Sequence, residues 1–483
     1  VTRREGETKL LGDRHGTEYE EIVMTLPLGE ILARSKHGPI VDEKTFDMAL
    51  FKKTQELQKK YNIKYDPEHP LDINGDMADR VFQAGVELFL AQGTYCTPPR
   101  RVIKVSEEEL HKAIEDCPAE VILGQGEDKV SMAHRDVEGS QETVVIAGIQ
   151  TAPFSDEKAM FDVYKGCAMD RCVDGIWGGI LLKMDNAWEV IAGTPSEIFQ
   201  YRKTIKILRE AITAAGRPGM ITISNAPTSA ATIAMFDEEE GLRRSDYMES
   251  TGMSEMKVDY DDLNRSAFAL AHGVPIHGTH SSTIGGFSAN PEGATIVSVA
   301  ASLQLVCIHL AETFRCGATD ARVKSRVSRS QLWVAGTAIQ ALNRNTRLIV
   351  DGSIGDHPAA GPGTKQYLYE SAAGHIVSTV MGGHSTEGTR KFVVGNTCNY
   401  GTPLESRWMG EVCKAAVGID KKTADGIVQW LLSQYENKLA DAPQGETFDT
   451  LYDRKAMEPV PEYRSLYEEV KQELRDRGLP FRD

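Results

Sequence analysis

No Cys-x-x-Cys pair occurs among the eight cysteines at 96, 117, 167, 172, 307, 316, 398 and 413, which removes the usual zinc-ribbon and thiol-redox spacings. They read as scattered reduced thiols, and Cys167 and Cys172 are expected on different faces of one helix. There is no Walker sequence and no G-x-G-x-x-G. Gly352-Ser-Ile-Gly355 and Gly361-Pro-Gly363-Thr364 are glycine-rich, yet Gly-Thr-Lys reverses the order of a phosphate loop. Basic blocks are missing too: 54 Lys and Arg face 70 Asp and Glu, a net charge of −16, which argues against nucleic acid as the main partner. The acidic run Asp237-Glu-Glu-Glu240 reads as a solvated loop. The longest apolar stretch, 294–314, is interrupted by Gln304, His309 and Glu312 and is expected as a buried helix, so no membrane span is predicted. No N-terminal stretch reads as a secretory signal, and the expectation is a cytoplasmic protein.

What is present is a repeated strand-then-helix grammar. Thr194, Pro195 and Glu197 open a helix that Gly216 stops, with Pro218 beyond, and the apolar run Met220-Ile-Thr-Ile223 follows. Asn290-Pro291 opens another helix near 291–314, and Thr402-Pro-Leu-Glu405 opens one that stops at Gly418. Runs of strand length fall at 121–124, 144–149, 175–182, 220–224, 274–277, 348–351 and 392–395. Seven such runs alternating with helices predict an α/β chain built as a (β/α)8 TIM barrel, with a doubly wound open sheet as the structural alternative. The barrel is assigned to 118–420, a helical N-terminal extension to 1–117 and C-terminal helices to 421–483.

Histidine is unevenly spread: seven of the twelve (272, 277, 280, 309, 357, 375, 384) lie between 272 and 384. His277, His280 and His357 follow predicted strands, at the rim where barrels carry out chemistry, while His272 precedes a strand. His309 and His375 are expected mid-helix as core or surface residues, and His384 at the opposite rim. Imidazole serves both proton transfer and metal binding, so His277, His357 and His272 are the catalytic candidates, and His277, His280 and His357 the candidate ligands of a metal such as zinc. The odd offset from His277 to His280 points the two rings to opposite faces unless Gly278 bends the chain.

Longer collinear stretches carry a more specific signal. They are Gln83-Ala-Gly-Val-Glu-Leu-Phe-Leu-Ala-Gln-Gly-Thr-Tyr-Cys96-Thr97, Ala215-Gly-Arg-Pro-Gly-Met220, Pro358-Ala-Ala-Gly-Pro362, Met409-Gly-Glu-Val412, and the closing stretch from Tyr435-Glu436 to Tyr452-Asp453. Over nearly its whole length the chain resembles the monomethylamine:corrinoid methyltransferases of methylotrophic methanogens. The resemblance implies a (β/α)8 barrel, a homohexamer, and transfer of a methyl group from a small amine to the cobalt of a separate corrinoid protein. In that family pyrrolysine follows the Gly-Arg-Pro-Gly-Met segment; here the matching positions are Ile223 or Ser224, neither of which can form its amine adduct. A family glutamate and a family tyrosine correspond to His272 and His357, and a family glutamine falls near Gly355.

A methyl group leaves for Co(I) only if the atom it leaves is a good leaving group. A quaternary ammonium departs as a neutral amine, whereas an ether, a thiol or a methylated primary amine needs a proton or a Lewis acid. The expected activity is therefore pyrrolysine-independent transfer from a methylated or quaternary amine, with Ser224, Asp351 and Asp356 as candidate substrate contacts and the corrinoid carried by its cognate partner protein. A metal-dependent barrel hydrolase or lyase on the same scaffold is the alternative, and a non-catalytic corrinoid-protein chaperone a third reading.

Overall fold

The computed structural model describes residues 27–71, 74–149, 153–181, 189–323, 325–352, 354–388 and 398–482. Seven short parallel strands and one closing segment alternate with eight helices. The strands are Ile146–Gly148, Gly175–Trp177, Ile221–Ile223, Met248–Thr251, Ile276–Thr279, Thr313–Arg315 and Ile349–Asp351. The first three form one parallel sheet and the other four a second. Segment 384–388 closes the ring, bridging Asp351 through His384 and Val145 through Ser385, both in parallel. The third and fourth strands are tied by Asp246, whose carboxylate accepts hydrogen bonds from Thr222 N (2.8 Å) and Arg209 Nη2 (2.6 Å). This is the expected (β/α)8 barrel.

Helices α1 (Leu28–His37), α2 (Glu43–Lys60), α3 (Asp76–Gln92) and α4 (Glu107–Asp116) precede the barrel. Its outer ring is α5 (Glu157–Met169), α6 (Pro195–Ala214), α7 (Ser229–Ala234), α8 (Tyr260–His272), α9 (Pro291–Gln304), α10 (Arg329–Asn345), α11 (Lys365–Val380) and α12 (Pro403–Ala416). After it come α13 (Lys421–Tyr435), α14 (Phe448–Leu451) and α15 (Pro461–Arg475). Capping follows two of the sequence signals, while Thr194 opens α6 ahead of Pro195 without a side-chain cap hydrogen bond. Asn290 accepts from Gly293 N, and Thr402 and Glu405 form a reciprocal capping box. Gly216 and Gly418 stop α6 and α12 at φ +78° and +75°, a region costly for residues with a Cβ. The stretch Pro291–His309 is apolar and long enough to cross a membrane, but it is mostly buried within the fold, where α3 and α10 pack on α9.

Several expectations need correction. The run at 121–124 is no barrel strand: Glu120–Leu123 pairs antiparallel with Val130–Ala133. Leu123 and Met132 of this hairpin pack with Val144, Ile146, Ile221, Ile223, Tyr247 and Ile349, which makes it an apolar plug in the barrel interior. The strands Met248–Thr251 and Thr313–Arg315 were not foreseen, and the run at 392–395 lies outside the described residues. The helix expected over 291–314 ends at Gln304, turns through a π-helical Leu305–His309, and reverses at Leu310 (φ 61°) into the sixth strand. His309 therefore sits in that turn, while His375 is mid-helix and buried. Cys167 and Cys172 do not share a helix: Cys167 lies in α5, Cys172 lies beyond its end at Met169, and both are free thiols.

Candidate active site

Inward-facing residues change character along the barrel axis. Around the hairpin they are apolar; toward the C-terminal ends of the strands they become Glu249, Thr279, Arg315 and Asp351, all buried. Strand alternation explains the set: Glu249 pairs in register with His277, Thr251 with Thr279, and Arg315 with Asp351. At the fourth strand's tip, Thr279 Oγ1 (3.1 Å) and Thr251 Oγ1 (3.3 Å) donate to Glu249 Oε1, and Asn225 Nδ2 reaches Thr251 Oγ1 at 3.4 Å. Glu249 Oε2 has no hydrogen-bond partner among the described residues. Burial, and then repulsion from Glu387, push this carboxyl above its ordinary value. Thr251 is exposed and Asn225 half-buried, so this corner is open to the mouth.

On the opposite side lies a compact charge network. Arg315 grips Glu387 with two nitrogens, Nε to Oε1 and Nη1 to Oε2, both 2.9 Å. Arg326 Nη1 reaches Glu387 Oε2 (3.2 Å) and Asp356 Oδ2 (3.4 Å), and His357 Nδ1 lies 2.5 Å from the same Asp356 oxygen. The loop carrying His357 is held from behind by Glu370 of α11, which accepts from Ala359 N (2.5 Å) and Ala360 N (3.2 Å) and whose pKa burial pushes up to about 7. Arg326 N in turn donates to His357 O at 3.1 Å.

The sequence-derived candidates separate accordingly. His357 and Asp356 lie in this network. His277 points inward but is fully enclosed, with its ring 5.5 Å from that of Tyr247 and 6.5 Å from that of Trp177. Its Nδ1 is 2.9 Å from Thr313 Oγ1 and its Nε2 3.6 Å from Asp351 Oδ2; burial, with Arg315 nearby, lowers its pKa to about 3, so the ring is neutral. His280 faces outward, with Nε2 on Ser302 Oγ (3.1 Å), because the strand runs straight through Gly278. Asp351 binds Thr386 through both oxygens, at 3.1 and 2.8 Å, and so anchors the closing segment. Ser224 is buried against Gly178, with its Oγ unpartnered among the described residues. His272 is a correction: it is exposed at the C-terminal end of α8, at the opposite rim, stacked on Phe268 at 4.2 Å. His384 also sits at that opposite rim, bonded to Ala133 O (2.8 Å) and Val144 N (2.9 Å).

The metal expectation is corrected in the same way, since His277, His280 and His357 do not converge. Among the described residues one trio has ligand-capable atoms close together, Asp356, His357 and Glu387, within 4.8 Å of one another. Two guanidinium groups already neutralise its two carboxylates, and a divalent ion placed there would face both fixed positive charges. This donor set fits a metal poorly.

The sequence model of the monomethylamine methyltransferase MtmB family matches residues 26–479. The chain belongs to the monomethylamine methyltransferase family. MtmB1 of Methanosarcina barkeri is 30% identical over 450 residues, covering 93% of this chain and 97% of the relative. MtmB of Methanosarcina mazei gives the same identity and coverage. The crystal structure of the Methanosarcina barkeri monomethylamine methyltransferase superposes with a TM-score of 0.87 at 28% identity, covering 95% of this chain and 99% of that one; the hydroxylamine MtmB complex gives the same values. The enzyme class read from the sequence, a corrinoid-dependent methyltransferase, agrees with this membership.

Ile223 and Ser224, at the end of the third strand, have different surroundings. Ile223 points inward into the apolar cluster with Trp177 and Tyr247, whereas Ser224 packs on the neighbouring strand. Residues missed by sequence reasoning are Glu249, Thr251, Thr279, Arg315, Arg326 and Glu387. Because His272 is remote from the mouth, His272→Ala is expected to leave methyl transfer within about twofold of wild type and stability within about 0.5 kcal/mol. Initial rates on the purified variant check this, and a tenfold loss would return His272 to the site.

Proposed function

We propose that this chain is a pyrrolysine-independent methyltransferase that moves a methyl group from a small methylated or quaternary amine to the Co(I) of a separate, cognate corrinoid protein, acting as a cytoplasmic homohexamer. The observation that carries this reading is the charge of the barrel mouth. Among the described residues, Glu249, Asp351, Asp356 and Glu387 outnumber Arg315 and Arg326 at the mouth, and Arg265 behind Glu249 is already paired with Asp261 and Asp262, so when all are ionised the acids exceed the bases and a cationic donor is favoured there. At Ile223 the wall is apolar where the family has an electrophile.

The chain's contribution is binding, orientation and exclusion of water. Thr251 and Thr279 fix one oxygen of Glu249, and the Arg315–Glu387–Arg326–Asp356 network keeps the far wall rigid, so the donor meets a preorganised field. The corrinoid, carried by its own protein, supplies the methyl-accepting cobalt. The hydrolase or lyase reading requires a metal, which the arginine-filled cluster disfavours.

The test is methylation of a Co(I) corrinoid protein, followed by its absorbance, across methylamines, betaines, methyl ethers and methyl thiols. Transfer from an amine or quaternary ammonium is expected. Silence across the panel together with stoichiometric metal in the same preparation would replace this reading with the metal-dependent one.

A further inference from the structure

Glu249 stands apart from the other mouth carboxylates. Asp351 is bound on both oxygens by Thr386, and Glu387 and Asp356 are held by arginines, whereas among the described residues Glu249 has no ion pair and keeps Oε2 without a hydrogen bond, at a corner whose other groups are hydroxyls and an amide. That corner offers hydrogen-bond acceptors: a carboxylate oxygen, two threonine hydroxyls and the Asn225 side chain. Such a set matches an ammonium that still carries N–H bonds. A quaternary ammonium makes no hydrogen bonds and is better served by aromatic faces; the nearest indole, Trp177, is enclosed.

Resting on the proposed methyltransferase reading, we infer that Glu249 is the residue that replaces pyrrolysine's activating role: it binds an N–H-bearing methylammonium through its unpartnered oxygen and keeps the leaving nitrogen protonated. The balance is simple. The C–N bond breaks with its electron pair going to nitrogen, which departs as a neutral amine with the protons it already carried, while the electron pair of Co(I) forms the new bond to carbon. No proton is transferred in the step, and no further reactant is needed. Before the donor arrives, burial and the repulsion of Glu387 across the mouth favour the protonated form of Glu249, so ammonium binding displaces that proton. The charged and titratable groups facing Glu249 are Glu387 from the closing segment, Arg315 from the sixth strand, Asp262 and Arg265 from α8 and Tyr201 from α6. Donor binding is therefore expected to tighten as the pH rises through the Glu249 titration.

Titration calorimetry with methylammonium, dimethylammonium and tetramethylammonium chlorides, in two buffers of different ionisation enthalpy, tests this. In the wild type, one proton is expected to be released per N–H donor bound on the acid side of the titration, with tetramethylammonium at least about tenfold weaker. Glu249→Gln, which keeps the shape and the threonine contacts, should bind methylammonium about tenfold to a hundredfold more weakly and lose the pH dependence. Thr279→Val, leaving the charge in place, should keep the proton release with a smaller loss; if Glu249→Gln fails to fold by its thermal melt, this variant and the wild-type donor series still decide. Unchanged methylammonium affinity in a folded Glu249→Gln, tetramethylammonium binding as tight as methylammonium, or no proton release would each overturn the inference. The two readings fail differently: Co(I) methylation that Glu249→Gln leaves intact sinks only this role, while ammonium binding without any Co(I) methylation sinks the methyltransferase assignment.

Discussion

Arg315→Met is expected to lower the unfolding free energy by about 3–5 kcal/mol and to abolish measurable methyl transfer, the largest effect of any single substitution at the mouth. The guanidinium is buried and holds both oxygens of Glu387 at 2.9 Å, with further bonds from Nη2 to His280 O (3.1 Å) and Ser281 Oγ (3.2 Å). Removing it takes the bidentate partner from buried Glu387, which keeps Arg326 at 3.2 Å, and frees a carbonyl and a hydroxyl. The paired replacement Arg315→Met with Glu387→Leu removes both charges together and is expected to recover much of the stability but none of the activity. Urea unfolding midpoints of the two singles and the double close the thermodynamic cycle. Additive losses in the double would show that the pair is not coupled and that the far wall of the mouth is organised otherwise.

The same residue shows why the site was only partly legible in the sequence. Helix starts and stops were readable because capping depends on two or three local residues: Thr402 with Glu405, Asn290 with Gly293, and Gly216 after α6. The strand at 276–279 overlapped the run at 274–277 and extended two residues beyond it, and strands at 146–148, 175–177, 221–223 and 349–351 fell within the expected apolar runs. Met248-Glu-Ser-Thr251 and Thr313-Phe-Arg315 did not, because the positions that face the mouth carry function and so lose the apolar signal that marks a buried strand. The site residues on those strands, Glu249 and Arg315, were lost with them. In Tyr247-Met-Glu-Ser-Thr251 three polar residues follow one another, so no alternation of apolar and polar groups betrays the strand. Histidine enrichment, by contrast, drew attention to rings with unrelated surroundings. His277 and His280 diverge as their odd spacing implies, His272 ends a helix at the far rim, and only His357 joins the charge network. Clustering in sequence carries no information about which face of a strand or which end of a barrel a ring occupies.

Those buried rings nonetheless control a second large effect. His277, His280, His309 and His384 are lowered by burial to pKa values of about 3, and His375 to about 4. The unfolded chain binds protons to these rings near 6.5, so the stability they contribute is present above that pH and is lost as the pH falls toward the folded values. Buried carboxyls act in the opposite sense. Asp262, Glu312 and Glu370 are raised to about 7 and Glu405 to about 6, so their contribution is largest in acid and is lost as the pH rises through those values. Between pH 7 and about 5.5 the two sets nearly cancel, giving a flat stability profile. Near pH 4.5 each ring has cost roughly 2–3 kcal/mol, and the unfolded carboxyls begin to take up protons as well, so the offset stops growing. Stability is then expected to fall steeply, further steepened because Glu87 and Glu109, held at about 2 by their lysine and arginine partners, stay ionised in the folded protein while their unfolded counterparts protonate. His309→Gln isolates one ring: its Nδ1 contact with Ser250 Oγ (2.9 Å) can be kept by an amide that does not titrate. Unfolding free energies measured from pH 6 to about 4.5 should have a slope shallower than wild type by one proton, about 1.4 kcal/mol per pH unit. Parallel slopes would mean that His309 is already protonated in the folded protein, and the neutral, walled-in reading of these rings would have to be given up.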